Sequence, residues 1–400
     1  VAIIFAGVAK VASEDEFLPF VVNRNFYYLT NVQQEESILV LVKGVGTTKT
    51  YLFIQEYNEL KEKWTGKRLT NDQASSLSSI QSVYSLNNFD NMISLILEKD
   101  NGQYGKINTI YLDISPEIKV AAEKNTKKFG MELLAKYKGL NVENIYPYIR
   151  DLRMVKSSYE IEQIVKAINT TNNALMNLVK NIKPGMKEYE LADMFEYYGK
   201  CNGRSPLAFN TIVANGKNAT CLHYPTQTDT VKDGDLIQFD LGLRNELYCA
   251  DISRAYPVNG SFNVLQTTVY QAVLNCNKAV IAKIQPGMTI KELNDFTIEF
   301  LKNECIRLKL MDSTEDIKKY YFHNVSHHLG LDTHDCSDKE KPLVEGNVIT
   351  VEPGLYFDKY GIGVRIEDDV VVRSFGAEVL SAGVKKEISD IQQLFKTRGF

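Results

Sequence analysis

Two stretches of the sequence share one pattern: IKPGMKEYELADM at residues 182–194 and IQPGMTIKELNDF at residues 284–296. A long segment of helical period precedes each copy, Pro-Gly is a typical helix stop, and a strand-rich stretch follows. Two copies are too few for a solenoid. The pattern therefore predicts a closed α+β domain with an internal pseudo-two-fold repeat, in which a site between the two halves would be natural.

Histidines are concentrated in this repeated region. All of them follow residue 220, and four fall within twelve residues. They are His223, His323, His327, His328 and His334. Such clustering favours a catalytic or metal-binding group over histidines that serve only packing.

Two predicted hairpins each carry a pair of acidic residues. Asp240 and Asp251 are symmetric about a turn near residues 244–246, and Glu352 and Glu367 about a turn near residues 358–361. Paired strands without a bulge would place the two members of a pair opposite each other. Facing carboxylates inside apolar strands repel and are costly unless a cation lies between them. The sequence thus predicts a cation site.

Four carboxylates and one histidine form an oxygen-rich donor set. Such a set suits Mn²⁺, Co²⁺, Zn²⁺ or Fe²⁺, and Mn²⁺ is the preferred candidate. Four acids exceed the needs of one tetrahedral zinc ion, whereas bridging carboxylates would hold two ions about 3.5–4 Å apart around a shared water. The sequence contains neither a nucleophile elbow nor a His-Glu-x-x-His motif, so serine-hydrolase and thermolysin-like chemistry have no support.

The first 150 residues alternate short apolar runs with segments of helical period, which predicts an α/β domain. Strands are expected at residues 1–7, 25–29, 37–42, 50–54 and 107–114, and helices at residues 90–99 and 116–138. Residues 44–49 read as a hairpin turn. We place a domain boundary near residues 146–150, which gives an N-terminal domain over 1–150 and a catalytic domain over 151–400.

Composition limits the classes of binding partner and indicates a cellular compartment. The formal net charge of −4 does not favour a nucleic-acid binder. No apolar run approaches the roughly 20 residues that cross a bilayer, so we expect no membrane association. The six cysteines form no Cys-x-x-Cys motif and lie in the second half of the chain, which favours a reducing cytoplasm over a disulfide framework.

Several ordered motifs resemble those of one enzyme family. They are Asp240 with Asp251, the stretch HNVSHHLGLDTHD at residues 323–335, VEPG at residues 351–354 and RIEDD at residues 365–369. Together they resemble the Xaa-Pro aminopeptidases (aminopeptidase P), which are proline-specific, dinuclear-metal "pita-bread" peptidases. The resemblance is strong over about residues 150–395. It implies a pita-bread catalytic domain preceded by a creatinase-type α/β domain that contributes substrate or oligomer contacts.

The resemblance also implies roles for individual residues. Five match the family's ligands of two divalent ions: Asp240, Asp251, His327, Glu352 and Glu367. Asp251 and Glu367 would bridge the ions, and Glu352 would also take the proton of the bridging water. His223 would line the pocket for the substrate proline, and His323 would hydrogen-bond the scissile peptide. His334 and Arg365 would position substrate and stabilise developing charge, while His328 reads as a packing or rim residue.

The implied activity is removal of the N-terminal residue from peptides with proline in second position, by a cytoplasmic homodimer. A prolidase, which performs the same chemistry on dipeptides, is the nearest alternative. A metal-free creatinase-type hydrolase or a non-catalytic peptide-binding module are further alternatives. Both usually lack ligands that this sequence retains.

Overall fold

The computed structural model describes residues 1–14, 16–98, 103–114, 121–201, 203 and 205–396. The chain divides into two units, Val1–Arg150 and Asp151–Phe400. The division falls inside a helix, Tyr146–Met154, which is α6 in chain order.

The elements of the first unit alternate between strands and helices. The strands are β1 (Ala2–Phe5), β2 (Val11–Ser13), β3 (Glu16–Phe17), β4 (Ile38–Gly44), β5 (Thr47–Ile54), β6 (Val83–Ser85), β7 (Thr109–Leu112) and β8 (Asn141–Asn144). The helices before α6 are α1 (Arg24–Thr30), α2 (Glu59–Thr65), α3 (Asn71–Ser78), α4 (Phe89–Leu97) and α5 (Ala121–Lys136). Six strands form one mixed sheet in the order β6-β5-β4-β1-β7-β8.

The core of this unit lies on the central strands. Ile3 of β1, Val40 of β4 and Phe53 of β5 are fully buried, and Phe89 of α4 packs edge-on against Phe53 at 5.4 Å between ring centroids. Burial of these apolar side chains is the main source of stability for the sheet. The predicted strands at residues 1–7, 37–42, 50–54 and 107–114, the helix at 90–99 and the turn at 44–49 correspond to observed elements.

One element was predicted wrongly. Residues 25–29 form helix α1, not a strand. The side chain of Asn23 accepts hydrogen bonds from the backbone N–H groups of Asn25 and Phe26, which caps the helix, and Asn31 ends it in the left-handed conformation at φ 56°. Asparagine caps at both ends thus override the strand preference of the aromatic run between them. Residue 99 of the predicted helix at 90–99 and residues 116–120 of the predicted helix at 116–138 lie outside the described residues.

The second unit contains the repeat. Its helices are α7 (Ser158–Asn181), α8 (Glu188–Cys201), α9 (Val264–Lys283), α10 (Ile290–Arg307) and α11 (Ile388–Lys396). Its strands are β9 (Ile212–Asn215), β10 (Leu236–Leu241), β11 (Arg244–Asn245), β12 (Tyr248–Cys249), β13 (Ile252–Pro257), β14 (Val348–Val351), β15 (Gly354–Phe357), β16 (Ile362–Arg365), β17 (Asp368–Arg373) and β18 (Gly376–Val379). Four 3₁₀ turns occur in the chain, at Leu86–Asn88, Gly216–Thr220, Ile317–Lys319 and Asp358–Tyr360, counted over the described ranges.

The two copies of the repeated motif have the same local structure. Gly185 follows α7 at φ 95°, and Gly287 follows α9 at φ 94°, a conformation that favours glycine. Their backbone N–H groups donate to the carbonyls of Val231 and Leu343, both at 2.8 Å. A helix pair and a three-stranded antiparallel sheet make up each half: α7 and α8 with β13-β10-β9, and α9 and α10 with β14-β17-β18. The predicted pair of equivalent halves is confirmed.

The register of the first acidic hairpin differs from the prediction. Asp240 pairs with Ser253, not Asp251, and Asn245 pairs with Tyr248. The turn therefore consists of Glu246 and Leu247, which have φ values of 47° and 65°. This shift of two residues keeps Asp251 on the same face as Asp240, because side chains alternate with a period of two along a strand. The two carboxylates are diagonal neighbours rather than directly opposed.

The second acidic hairpin has the predicted register. Val351 pairs with Asp368 before a gap in the ladder, and Gly354 pairs with Arg365 after it. The same register continued through the gap places Glu352 opposite Glu367. Among the described residues, no helix is both long enough and apolar enough to cross a membrane.

Candidate active site

Both acidic hairpins and the histidine-rich segment contribute to one cluster. One ligand atom from each of Asp251, His327 and Glu367 lies within 4.8 Å of the others. The Nε2 atom of His327 lies 3.4 Å from Oδ2 of Asp251 and 3.5 Å from Oε1 of Glu352. Four of the five predicted ligands therefore surround one small volume.

The fifth predicted ligand, Asp240, joins this cluster through Arg365. The Nη2 atom of Arg365 donates to Oδ2 of Asp240 at 2.6 Å, and its Nε donates to Oγ of Ser253 at 2.8 Å. The Ser253 hydroxyl in turn donates to Oε2 of Glu367 at 2.9 Å. Because Ser253 pairs with Asp240 across the first hairpin, the register that the sequence missed is what places this serine between the two hairpins.

The carboxylates of the cluster are buried and close to one another. Burial, followed by the negative charges of Asp240, Asp369 and Glu352, raises the pKa of Asp251 well above its ordinary value. Burial and the charge of Asp251 raise the pKa of Glu367 in the same way. Burial raises the pKa of Glu352 to about 7, against the opposing charges of His327 and Arg365. The single positive charge of Arg365 does not balance the negative charges of Asp251, Glu352 and Glu367.

This donor set suits divalent metal ions. The Oδ1 atom of Asp240 is buried and has no hydrogen-bond partner among the described residues, as expected of an oxygen that serves as a ligand. Buried carboxylates together with one imidazole are ligands that divalent first-row metals accept. Bound cations would also remove the cost of the mutual repulsion.

His327 is oriented by its own segment of chain. Its Nδ1 lies 3.1 Å from the carbonyl oxygen of His328, which can only accept, so Nδ1 carries the proton. The Nε2 lone pair is thereby left to face Asp251 and Glu352. The backbone N–H of His327 donates to Oγ1 of Thr350 at 3.1 Å, which fixes the segment beside β14. A hydrogen bond from the second ring nitrogen to a backbone carbonyl, as from Nδ1 of His327, is typical of a metal-binding histidine.

His323 lies at the other side of Glu352. Its Nδ1 donates to the carbonyl of Asn324 at 2.8 Å, so Nε2 accepts from the hydroxyl of Tyr356 at 2.9 Å. That hydroxyl also accepts from Nη1 of Arg365 at 3.0 Å. Burial and the positive charge of Arg365 lower the pKa of His323 to about 4, so this histidine is neutral at physiological pH.

The two remaining predicted site histidines are more exposed. The ring of His334 stands nearly perpendicular to that of His327, with 4.3 Å between the centroids. Desolvation and the charges of His327 and His223 lower the pKa of His334. His223 lies in an exposed loop after the 3₁₀ turn Gly216–Thr220, near enough for its charge to act on both His323 and His334.

His328 is set apart from this group. Only 3% of its surface is exposed, and burial together with the charge of Lys156 lowers its pKa to about 3. Its backbone forms an isolated bridge with Ile349. The structure thus places His328 in the core, in keeping with the packing alternative, rather than at a rim.

Sequence reasoning gave no role to three polar residues that complete the hydrogen-bond network. Ser253 connects Arg365 with Glu367, and Tyr356 connects Arg365 with His323. Asp369 accepts from the backbone N–H of Asp251 at 3.1 Å through Oδ2. Asp369 stands inside the motif at residues 365–369, so its position was a usable signal, whereas Tyr356 stands in an apolar strand without one.

Comparison with known proteins identifies the class. The chain belongs to metallopeptidase family M24, whose family model matches residues 162–374. The model of the aminopeptidase P N-terminal domain matches residues 1–104. Together with the structural similarities below, these matches confirm the predicted combination of an α/β N-terminal domain and a pita-bread catalytic domain. The chain is accordingly an enzyme of the metal-dependent peptidase class.

Three similar proteins are described as Xaa-Pro aminopeptidase or aminopeptidase P. The Xaa-Pro aminopeptidase of Haemophilus influenzae is 31% identical over 98% of this chain and 92% of its own length. A Bacillus anthracis structure, itself only proposed to be an aminopeptidase P, has a TM-score of 0.94 at 38% identity, over 100% of this chain and 94% of that one. Zinc-substituted aminopeptidase P of Escherichia coli in complex with product has a TM-score of 0.89 at 27% identity, with the same coverage.

Proposed function

We propose that this protein is a metal-dependent Xaa-Pro aminopeptidase, which releases the N-terminal residue from peptides with proline in second position. The observation that carries the proposal is the convergence of Asp251, His327 and Glu367, whose ligand atoms lie within 4.8 Å of one another. Membership of a metallopeptidase family and the names of its similar proteins support the peptide substrate.

The proposed ligands are Asp240, Asp251, His327, Glu352 and Glu367. They would hold two divalent ions, and their many oxygens favour Mn²⁺ over Co²⁺, Zn²⁺ or Fe²⁺. Bound ions of this kind lower the pKa of a water and polarise the carbonyl of a peptide.

The side chains of this protein would supply the proton transfers. Glu352, whose Oε1 lies 3.5 Å from Nε2 of His327, is placed to take a proton from the attacking water and return it to the leaving nitrogen. That return is needed because the leaving proline nitrogen departs as an amine only after it is protonated. Neutral His323, held by Tyr356, would hydrogen-bond the peptide.

Arg365, His334 and His223 would act on the substrate. Arg365 keeps its guanidinium between Asp240 and Tyr356, where positive charge would stabilise an oxyanion. His334 faces His327 across 4.3 Å between ring centroids, and we assign it to substrate positioning. We assign His223, on its exposed loop, to contact with the apolar ring of the substrate proline.

Peptide cleavage assays on the metal-loaded protein test the proposal. We expect Ala-Pro-Ala to be cleaved about 10- to 200-fold faster than Ala-Ala-Ala in kcat/KM, the discrimination that a shape-based pocket typically gives. Acetylation of the N-terminus should abolish cleavage. Equal rates on the two tripeptides would exclude proline specificity, and hydrolysis of the acetylated peptide would exclude an aminopeptidase.

A dipeptide assay separates the proposal from its nearest alternative. A prolidase would cleave Ala-Pro and leave Ala-Pro-Ala intact, whereas an aminopeptidase cleaves the tripeptide. A preparation that carries bound metal and cleaves neither peptide would favour a non-catalytic peptide-binding protein. We also propose a homodimer and a cytoplasmic location, which light scattering and fractionation would test. The six cysteines, all free of disulfides, agree with that compartment.

A further inference from the structure

The loop that carries His223 has little structure of its own. It connects the 3₁₀ turn Gly216–Thr220 with the residues around Thr230, and most of its side chains are exposed. Exposed loops with few buried apolar contacts open readily. A histidine that has to meet a substrate with precision therefore needs this loop to be fixed by something else.

One buried carboxylate ties both ends of the loop together. The Oε1 atom of Glu188 accepts from the backbone N–H of Asn215 at 2.7 Å and from Nδ2 of Asn218 at 2.9 Å. Its Oε2 atom accepts from the backbone N–H of Asp229 at 3.0 Å. Glu188 has no exposed surface. Three donors from the two ends of segment 215–229 thus converge on the two oxygens of one side chain.

The internal repeat shows that the start of the helix does not require this carboxylate. The residue at the equivalent position, 102 residues later, is Ile290, and α10 begins there just as α8 begins at Glu188. Nearby Glu190 accepts from the backbone N–H of Lys187 at 2.6 Å and has an equivalent in Glu292, so the shared acid caps the helix. Glu188 is present only in the half that carries the His223 loop.

The 3₁₀ turn that precedes the loop also contacts the second hairpin. A side chain at Gly363 of β16 would place its Cβ 1.9 Å from the carbonyl oxygen of Ala219, so the backbones are in close contact there. Burial and the negative charges of Glu188 and Asp229 raise the pKa of Tyr224, the residue after His223. Glu188 therefore interacts with residues that precede His223 in the sequence and with residues that follow it.

We infer that Glu188 is a positioning residue: its buried carboxylate fixes segment 215–229 and thereby holds His223 in place for the substrate. The catalytic consequence rests on the proposed function, whereas the structural consequence does not. The variant Glu188→Gln keeps the size of the side chain but replaces one acceptor oxygen by an NH₂ group. That group would face at least one of the three N–H donors, so at least one bond is lost.

Amide hydrogen exchange of the metal-loaded protein tests the structural consequence without any substrate. We expect Glu188→Gln to speed exchange at least tenfold in peptides within 215–229 and to leave peptides of β14 and β17 unchanged. Asn218→Ala, which removes one of the three bonds to Glu188 together with the bond from Asn218 to Oδ2 of Asp229, should speed exchange in the same peptides. The matched control Glu190→Gln should change none of them. Unaltered exchange in Glu188→Gln, or an equal effect of Glu190→Gln, would overturn the inference.

A double-mutant cycle on Ala-Pro-Ala cleavage tests the link to His223. We expect Glu188→Gln to lower kcat/KM at least tenfold in the otherwise unchanged protein and less than threefold in the His223→Ala background, with metal content unchanged throughout. Residues that act as one unit show such non-additivity. If the two substitutions lowered kcat/KM independently, so that their fold-losses multiplied in the double variant, the link would be overturned. Failure of the proposed function would show differently, as absence of cleavage by the unaltered protein.

Discussion

Asp240 in the first hairpin and Arg365 in the second are joined by a hydrogen bond of 2.6 Å, and both side chains are buried. The guanidinium also donates to Ser253 and Tyr356, at 2.8 and 3.0 Å. A single cation thus connects the carboxylates of one hairpin with the hydroxyl that contacts His323. A lysine ammonium, a point charge on a flexible stem, cannot reach all three partners with the same geometry.

Arg365→Lys should lower kcat/KM on Ala-Pro-Ala by about 10- to 150-fold. This range corresponds to the loss of one hydrogen bond to a charged group, about 1.5–3 kcal/mol. Arg373→Lys is the matched control, because Arg373 pairs with Glu378 in a partly exposed ion pair on β17. Equal kcat/KM values for Arg365→Lys and Arg373→Lys would show that the simultaneous contacts of the Arg365 guanidinium are unimportant for activity.

The proposed bridging role of Asp251 predicts the metal content of its variants. Asp251→Ala should lose both ions, because its carboxylate would contact each of them, whereas Asp240→Ala should lose one. Asp295→Ala, which removes an exposed partner of Lys291, should keep both. Elemental analysis after gel filtration measures the ions per chain. Full occupancy in Asp251→Ala would refute the bridging assignment.

The raised carboxyl pKa values predict how stability depends on pH. Asp251, Glu352 and Glu367 bind protons more tightly in the folded than in the unfolded chain, so their contribution to stability is lost as pH rises through the folded pKa values. For Glu352 this pKa is about 7. The metal-free protein should therefore lose stability relative to the metal-loaded protein from about pH 4.5, the ordinary pKa of a glutamate, and the last part of the loss due to Glu352 should fall between about pH 6.5 and 8.

Melting temperatures with and without chelator across that range measure this difference. The buried histidines His323 and His328 are neutral in the folded chain above about pH 6.5, and in the unfolded chain they lose their remaining protons as pH rises further, which changes the stability of both forms alike. Groups that bound metal does not touch cancel in the comparison. A gap between the two melting temperatures that stays constant from pH 6.5 to 8 would contradict the prediction.

A buried ion triad supports the histidine segment. Asp335 accepts from Nη2 of Arg153 at 2.5 Å and from Nζ of Lys156 at 3.0 Å. Burial alone would raise the pKa of Asp335, but these two cations lower it to about 2. Its backbone N–H donates to the carbonyl of His328, so the triad holds the chain between His327 and His334.

Asp335→Asn should destabilise the protein by about 3–5 kcal/mol, the usual cost of breaking a buried ion pair from one side. Asp151→Asn, in a half-exposed pair with Lys341, should cost at most about 1 kcal/mol. Urea midpoints of the two variants provide the comparison. Similar midpoints would mean that the triad contributes no more than a surface pair.

The sequence predicted one hairpin register and missed the other for a definite reason. The second hairpin turns through a 3₁₀ segment that ends at Gly361 in the left-handed conformation, a recognisable signal. The first turns at Glu246 and Leu247, which seldom adopt positive φ. Asn245, the expected turn residue, instead donates to Oε1 of Gln163 at 2.7 Å, a contact 82 residues away that no local pattern reveals.

The sequence predicts which residues gather at the site more readily than it predicts the hydrogen bonds that connect them. The five proposed ligands stand in motifs whose residue types alone suggest metal binding. Ser253 and Tyr356 contribute through hydrogen bonds that depend on tertiary packing, so only the structure shows their place in the network. Likewise, the aromatic run at residues 26–28 favours a strand by composition, and the asparagine caps of α1 decide otherwise.

The division of the acidic cluster between two halves has a consequence for synthesis of the chain. Asp240 and Asp251 leave the ribosome well before Glu352 and Glu367, and at roughly 5–20 residues per second the interval lasts many seconds. A nascent chain therefore carries half a cluster, with too few donors to retain ions tightly, until its last hairpin is made. With the proposed ligand set, metal would bind only after the last hairpin is made, and chains truncated before residue 367 would lack both ions.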